Sequence, residues 1–307
     1  SPDRMAALFA PTAAARFDAR LLAEATALGA SAARFPPRGR RPRDSAIGDH
    51  GRRRAGPGAA FWQYRPYTEG EPARLIDWRR TAREDRPIVR EREWEAMLTL
   101  SLWVDASASM AYPATGGPAS KRRVADLLAL AAASAWLKNG GRIQALGDGK
   151  GRGAAKLAGV VAGLMRAGDR AAADDMEASL PPQSRAPRDG FVLLIGDFMA
   201  PPAATIARAA ALAASGARGA AIQVLHGDEA GLDFGGRVEF ASIEANESHL
   251  LRHVESGRDR YLDQLEAHNA ALAAGLARIG WALTRHRTDR PHGPPLIAAL
   301  AALAAGG

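Results

Sequence analysis

Cysteine is absent from the 307 residues. That excludes disulfide staples and thiolate metal sites, and it leaves the cytosol as the expected compartment. Long apolar runs are missing too: none reaches the roughly 18–20 residues that a membrane-spanning helix requires. The first residues lack the basic, apolar, small-residue order of a signal peptide, because Arg16, Asp18 and Arg20 interrupt them. Lysine is scarce as well. Of 41 basic residues only Lys121, Lys138, Lys150 and Lys156 are lysines. With alanine in great excess, this bias reads as a GC-rich coding background as much as a selected surface. What remains, 47% apolar and 24% charged residues, is the balance of a globular chain with ample core.

The net charge of +8 raises the question of nucleic acid. Its excess is local: residues 34–54 hold eight arginines against Asp44 and Asp49, whereas residues 98–307 are nearly balanced. Pro36, Pro37, Gly39 and Pro42 make that segment an extended arm. From Arg38 to Arg54 no aromatic residue is interleaved for base stacking, and no nucleic-acid-binding motif is matched. Nucleic-acid binding through this arm therefore stands as an alternative, not as the leading reading.

Apolar spacing predicts a helix over 17–33, and alternating patterns at 61–67 and 87–95 predict an antiparallel strand pair. From residue 98 the pattern changes to alternating strands and helices. Strands are expected at 98–105, 141–147, 190–197, 220–227 and 280–287, with helices at 121–138, 154–168, 202–216, 256–279 and 295–304. That succession predicts an α/β fold, a doubly wound parallel sheet, preceded by an N-terminal helix and a small antiparallel β subdomain. The expected divisions are 1–57 (helix and arginine-rich arm), 58–96 (antiparallel β segment) and 97–307 (α/β domain).

In open parallel sheets, ligands gather outside the carboxyl ends of the strands. Two core strands here end in an acid, Asp105 after LTLSLWV and Asp197 after GFVLLIG. Ser107 and Ser109 follow Asp105 at alternate positions, so a tight loop can turn both hydroxyls toward it. Two carboxylates, two hydroxyls and water form the all-oxygen shell that Mg²⁺ accepts, at about 2.0–2.1 Å. A short serine-rich loop can equally cap the next helix.

The motifs together resemble the domain-of-unknown-function 58 family, a bacterial group with a von Willebrand factor A-like fold. The resemblance rests on YRPYTEGEPARLIDWRRTAR (64–83), VREREWE (89–95) and LWVDASASM (102–110). It continues through VLLIGDF (192–198), VLHGDE (224–229), RYLDQLEAHNAAL (260–272) and LTRHRTDRPHGPPLIAAL (283–300). It implies a metal-ion-dependent adhesion site in which Asp105, Ser107 and Ser109 form the first metal loop and Asp197 the later acid. It also implies a metal-assisted protein-binding adaptor that works with a MoxR-type AAA+ ATPase in assembly or maturation of other complexes. The family's middle-loop threonine is not evident; AAADDMEASL (172–180) offers Asp174 or Asp175 in its place. The paired acids of its glycine–acid turn are reduced to Glu71-Pro72. Lys121, Arg122 or Arg123 can alternatively neutralise the acids without metal. All three open a helix, where the macrodipole disfavours cations, so a local anion is expected beside them.

Other groupings carry less. Asp77 and Arg83 are expected to form a buried ion pair, with Trp78 as packing. His249 and His253 are spaced for one helical face but lack a third zinc ligand and a general base. GDGKGRG (147–153) lacks the frame of a phosphate loop and reads as a hairpin. Catalysis lacks its parts, because no second carboxylate follows Asp105 by two residues and no base neighbours the serines in sequence. A metal-dependent hydrolase is thus the last-ranked alternative.

Overall fold

A computed structural model describes residues 16–33, 61–67, 76–83, 86–92, 98–113, 120–148, 154, 156–171, 175–187, 190–231, 238–241, 248–251 and 255–305. The arm at 34–54, Asp174 and most of the glycine-rich stretch at 147–153 lie outside these residues. The chain divides into two compact units, Gly39–Met97 and the remainder, Ser1–Arg38 with Leu98–Gly307.

In the smaller unit, β1 (Phe61–Pro66) pairs antiparallel with β2 (Ile88–Arg92). Ile76 bridges to Val89, and Asp77 then caps the short helix α2 (Trp78–Thr81) by accepting a hydrogen bond from Arg80 N at 3.1 Å. The expected ion pair does not form: among the described residues Asp77 has this backbone partner instead of Arg83, and Arg83 is exposed. Trp78 is not packing either, being 64% exposed. A helix start with unpaired N–H groups competes for the aspartate, and here it wins.

The larger unit is built on five parallel strands, β3 (Thr99–Val104), β4 (Arg142–Ala145), β5 (Phe191–Gly196), β6 (Arg218–Leu225) and β9 (Ala282–Arg287). Their order in the sheet is β4-β3-β5-β6-β9. The chain steps outward to β4 on one side, then returns to lay β5, β6 and β9 on the other, so direction reverses between β3 and β5. In doubly wound sheets that reversal opens a crevice at the strand ends.

Helices cover both faces, which is why the central strands read as continuous apolar runs. Leu100, Leu102, Phe191, Leu193, Ile195 and Ile222 face one core, shared with helices α1 (Ala19–Ala32), α3 (Lys121–Lys138), α4 (Leu157–Ala171) and α9 (Gly293–Ala305). Trp103, Val192, Leu194 and Ala221 face the second, against α6 (Pro202–Ala213) and α8 (Glu255–Arg278). Helix α3 is buried along most of its length, with Ala129, Ala131, Ala132, Ala133 and Ala135 letting its neighbours approach. At Gly29 of α1 an added Cβ would lie 2.5 Å from Ala131 O, so only glycine fits this crossing.

Besides α2, four short elements were not legible in the sequence. Helix α5 (Asp175–Ala178) follows α4, helix α7 (Gly227–Gly231) follows β6, and β7 (Val238–Ala241) pairs antiparallel with β8 (Ser248–Leu251). The last finding overturns the helical reading of His249, which pairs with Phe240 in the ladder. Cross-strand hydrogen bonding with Val238–Ala241 decides the conformation there, and four-residue spacing alone cannot reveal it.

His286, near the end of β9, is buried and shares a 2.9 Å contact with His292. Burial and the neighbouring His292 lower its pKa to about 4. The unfolded chain, with an ordinary histidine pKa near 6.5, binds the extra proton first. Stability is therefore expected to fall as pH drops from about 6.5 toward 4, and His286→Gln should flatten that decline. Urea midpoints measured across this range for both proteins check it; parallel curves would show that His286 does not contribute.

Candidate functional site

Strand β3 delivers Asp105 to the carboxyl end of the sheet, and β5 delivers Asp197 beside it. The strands are in register, Val104 opposite Ile195, and Asp105 N donates to Ile195 O at 2.9 Å. Both acids are fully buried. The loop after β3 turns at once: Ser107 N and Ser107 Oγ donate to Asp105 Oδ1 at 2.8 and 2.6 Å. Ser107 Oγ lies 3.0 Å from Ser109 Oγ, and Ser109 Oγ donates to Asp197 Oδ2 at 2.6 Å. Four residues separated by up to 92 positions thus form one continuous run of polar contacts, in which each serine gives its single hydroxyl proton to an acid. The convergence expected of Asp105, Ser107, Ser109 and Asp197 is what the fold produces.

The serine loop begins as a cap-like turn and runs into a short 3₁₀ segment at Ala108–Ala111, but Ser107 makes no side-chain cap bond there. Both hydroxyls are committed to the acids instead. Ala106 N donates to Ala178 O at 3.2 Å, tying the loop to the end of α5.

On the other side, Phe198 has a positive φ of 53°. This sparsely populated conformation costs a bulky residue about 1–3 kcal/mol. It brings Met199 N to Asp197 Oδ1 at 3.2 Å. The Phe198 ring holds the turn from below, buried against Trp103 with ring centroids 5.9 Å apart.

The three basic residues that open α3 separate into three tasks. Lys121 Nζ donates to Asp197 Oδ2 at 2.9 Å and to Glu229 Oε1 at 2.6 Å, with only 1% of its side chain exposed. Burial opposes its charge, but Asp197 and Glu229 outweigh burial and hold its pKa above the ordinary lysine value. Arg122 forks onto two loop carbonyls, Asp105 O at 2.7 Å and Ser107 O at 2.9 Å. Arg123 turns away to Asp18, the N-cap of α1, at 3.0 Å. The anion expected beside this helix start is therefore supplied from within the chain.

Asp105 differs from Asp197 in having no basic side chain bonded to its carboxylate. Burial, then the charge of Asp197, pushes its pKa up to about 7, although hydrogen bonds from Ser107 oppose the rise. Its Oδ2 is buried without a hydrogen-bond partner. Gly196 makes room for this carboxylate, since a Cβ there would lie 2.7 Å from Asp105 Cβ and 2.9 Å from Oδ2.

Further residues complete the site without having been singled out beforehand. Glu229 is held by His226 N, which donates to its Oε2 at 2.9 Å, while Tyr261 OH donates to its backbone oxygen at 3.0 Å. Gln223 Nε2, buried in β6, donates to Asp197 O at 3.1 Å and to Asn269 Oδ1 at 2.8 Å. The sequence signal for Glu229 was an acid four residues after the last residue of a buried strand, as in the GDE of 227–229. Gln223 was visible only as a polar residue inside an apolar run.

The donor set is of the type that a hard divalent ion takes, but one of its oxygens already has a cation beside it. Asp197 Oδ2 already receives the Lys121 ammonium and the Ser109 hydroxyl. Among the described residues no group of three or more His, Asp or Glu side chains is placed to hold a metal ion. Asp174, the candidate for the missing third loop, lies outside the described residues. Also among these residues, no helix is long and apolar enough to cross a membrane.

Gly196→Ala is expected to destabilise the protein by about 1–3 kcal/mol, because Asp105 must shift to admit the methyl group. Chemical denaturation checks this, and an unchanged midpoint would show that the carboxylate is free to move.

Comparison with curated proteins found no match, and comparison with solved structures found none either. A family model described as "Protein of unknown function DUF58" matches residues 63–271, more than half of the chain and all of the Asp105, Lys121, Asp197 and Glu229 cluster. The chain belongs to the DUF58 family.

Proposed function

We propose that the chain is a non-enzymatic protein-binding adaptor with a von Willebrand factor A-like domain, docking its partner at the carboxyl end of the parallel sheet. The observation that carries this reading is the cluster of Asp105, Ser107, Ser109 and Asp197, in which each serine hydroxyl donates to an acid and the two hydroxyl oxygens touch, placed where the strand order reverses. A loop so fully bonded offers a rigid, preorganised face, which lowers the entropic cost of binding.

Two of the exposed large apolar side chains flank this face. Met199 follows Asp197 directly and is 37% exposed; Met176 lies on α5, whose end is bonded to the serine loop, and is 60% exposed. Flexible thioethers at a rim suit contact with a protein surface. The partner implied by the family resemblance is a MoxR-type AAA+ ATPase, acting in assembly or maturation of other complexes.

The chemistry of the loop favours binding over turnover. Ser109 donates to the same Asp197 oxygen that Lys121 pairs, so the hydroxyl faces an ion pair and not a free base. His268 lies near, yet its Nε2 is engaged with Phe198 O at 2.8 Å.

Met199→Glu places a charge on the rim without entering the core. It is expected to reduce capture of the ATPase in a pull-down by at least about tenfold, a change of roughly 1.4 kcal/mol, while the melting temperature stays unchanged. Undiminished capture by this variant would refute docking at this face.

A further inference from the structure

The cation at the centre of the site requires its own explanation. Lys121 is the first residue of α3, where the helix dipole opposes positive charge, and its side chain is among the largest fully buried groups in the molecule. An ammonium withdrawn from water is strongly unfavourable unless it is paired and hydrogen-bonded. Lys121 is paired twice, with Asp197 at 2.9 Å and Glu229 at 2.6 Å. Glu229 is in turn held by His226 N at 2.9 Å, so the second acid is fixed independently of the lysine.

The oxygen that Lys121 contacts is the one that matters. Asp197 Oδ2 is the end of the run of contacts leading back through Ser109 and Ser107 to Asp105. An ion bound through this oxygen would have to compete with the ammonium for it. A divalent ion at the usual 2.0–2.1 Å from Oδ2 would lie within a few ångströms of Nζ, with little water to screen two like charges. Neither neighbouring cation can take over the role, because Arg122 is forked onto the carbonyls of Asp105 and Ser107, and Arg123 is turned to Asp18.

We infer that Lys121 is the resident cation of this site: its ammonium takes the place of a divalent ion between the serine loop, Asp197 and Glu229, and it closes the site to such ions. Assembly of the docking face then needs no Mg²⁺, and removal of the lysine charge opens a metal site that the native protein lacks. The inference deepens the reading of the same site, but its test uses metal alone and no partner. Loss of ATPase capture therefore cannot imitate its failure.

The experiment is calorimetric titration of the full chain with MgCl₂ and with MnCl₂, with melting temperatures recorded in parallel. Native protein is expected to give no saturable heat at millimolar metal and no metal-dependent rise in melting temperature. Lys121→Met keeps the aliphatic stem and removes the charge. It should melt lower, gain saturable Mn²⁺ binding and recover its melting temperature with the metal; adding Asp197→Asn should abolish both gains. Lys121→Gln serves as a second charge-removing variant. If both fold only partially, Mn²⁺-dependent recovery of native circular dichroism is the expected result. Saturable metal binding by the native chain that disappears in Asp197→Asn would overturn the inference. So would lysine variants, folded or partly folded, that neither bind Mn²⁺ nor respond to it.

Discussion

The parallel pairing of β3 with β5 is the constraint on which the rest of the site depends. It places the last residues of two strands side by side, 92 positions apart in sequence, with Asp105 N bonded to Ile195 O at 2.9 Å. Two buried carboxylates so placed repel one another, and the chain resolves the repulsion asymmetrically. Asp197 takes the lysine, the Ser109 hydroxyl and a backbone N–H; Asp105 takes Ser107 alone, and its pKa rises to about 7. Gly196 and the positive φ at Phe198 are local consequences of fitting two acids and a turn into this space.

Burial gives these interactions their weight. A solvent-exposed ion pair contributes little, because water screens it and side-chain entropy opposes it. Lys121 and Asp197 are each only 1% exposed, so either one left alone would be a buried unpaired charge. The same logic explains why Glu229 is anchored through His226 and why Gln223 bridges Asp197 O to Asn269. One buried polar group recruits the next, Asp105 Oδ2 and Gln223 Oε1 excepted, and the network reaches from β3 to α8. On our proposal this rigidity is what a partner docks against, with Met176 and Met199 at the rim.

Most of the architecture was legible because its elements are long and strongly patterned. The apolar runs ending at Val104 and Gly196 could only be strands buried on both faces, and the span 121–138 matched its helix residue for residue. Besides α2, the elements that escaped are four or five residues long and take their shape from partners: α5, α7 and the β7–β8 pair. Asp77 and Trp78 were misjudged for a related reason. Residue type suggested an ion pair and a packed ring, but a local helix start claimed the aspartate and left the indole exposed. The alanine excess, which resembled coding bias, is in α3 the condition for close packing.

The sequence by itself determined which residues end the core strands, and therefore that Asp105, Ser107, Ser109 and Asp197 share one end of a parallel sheet. Strand periodicity and side-chain chemistry are local properties, and they suffice for that. It also offered three cations for the acids without distinguishing them. Only the tertiary structure chose Lys121, sent Arg122 to the loop carbonyls and Arg123 to Asp18, and brought Glu229 across from the end of β6. That choice depends on the direction in which α3 leaves the loop and on what packs above it. Both are set by the assembly of the whole sheet, and no window of neighbouring residues encodes them.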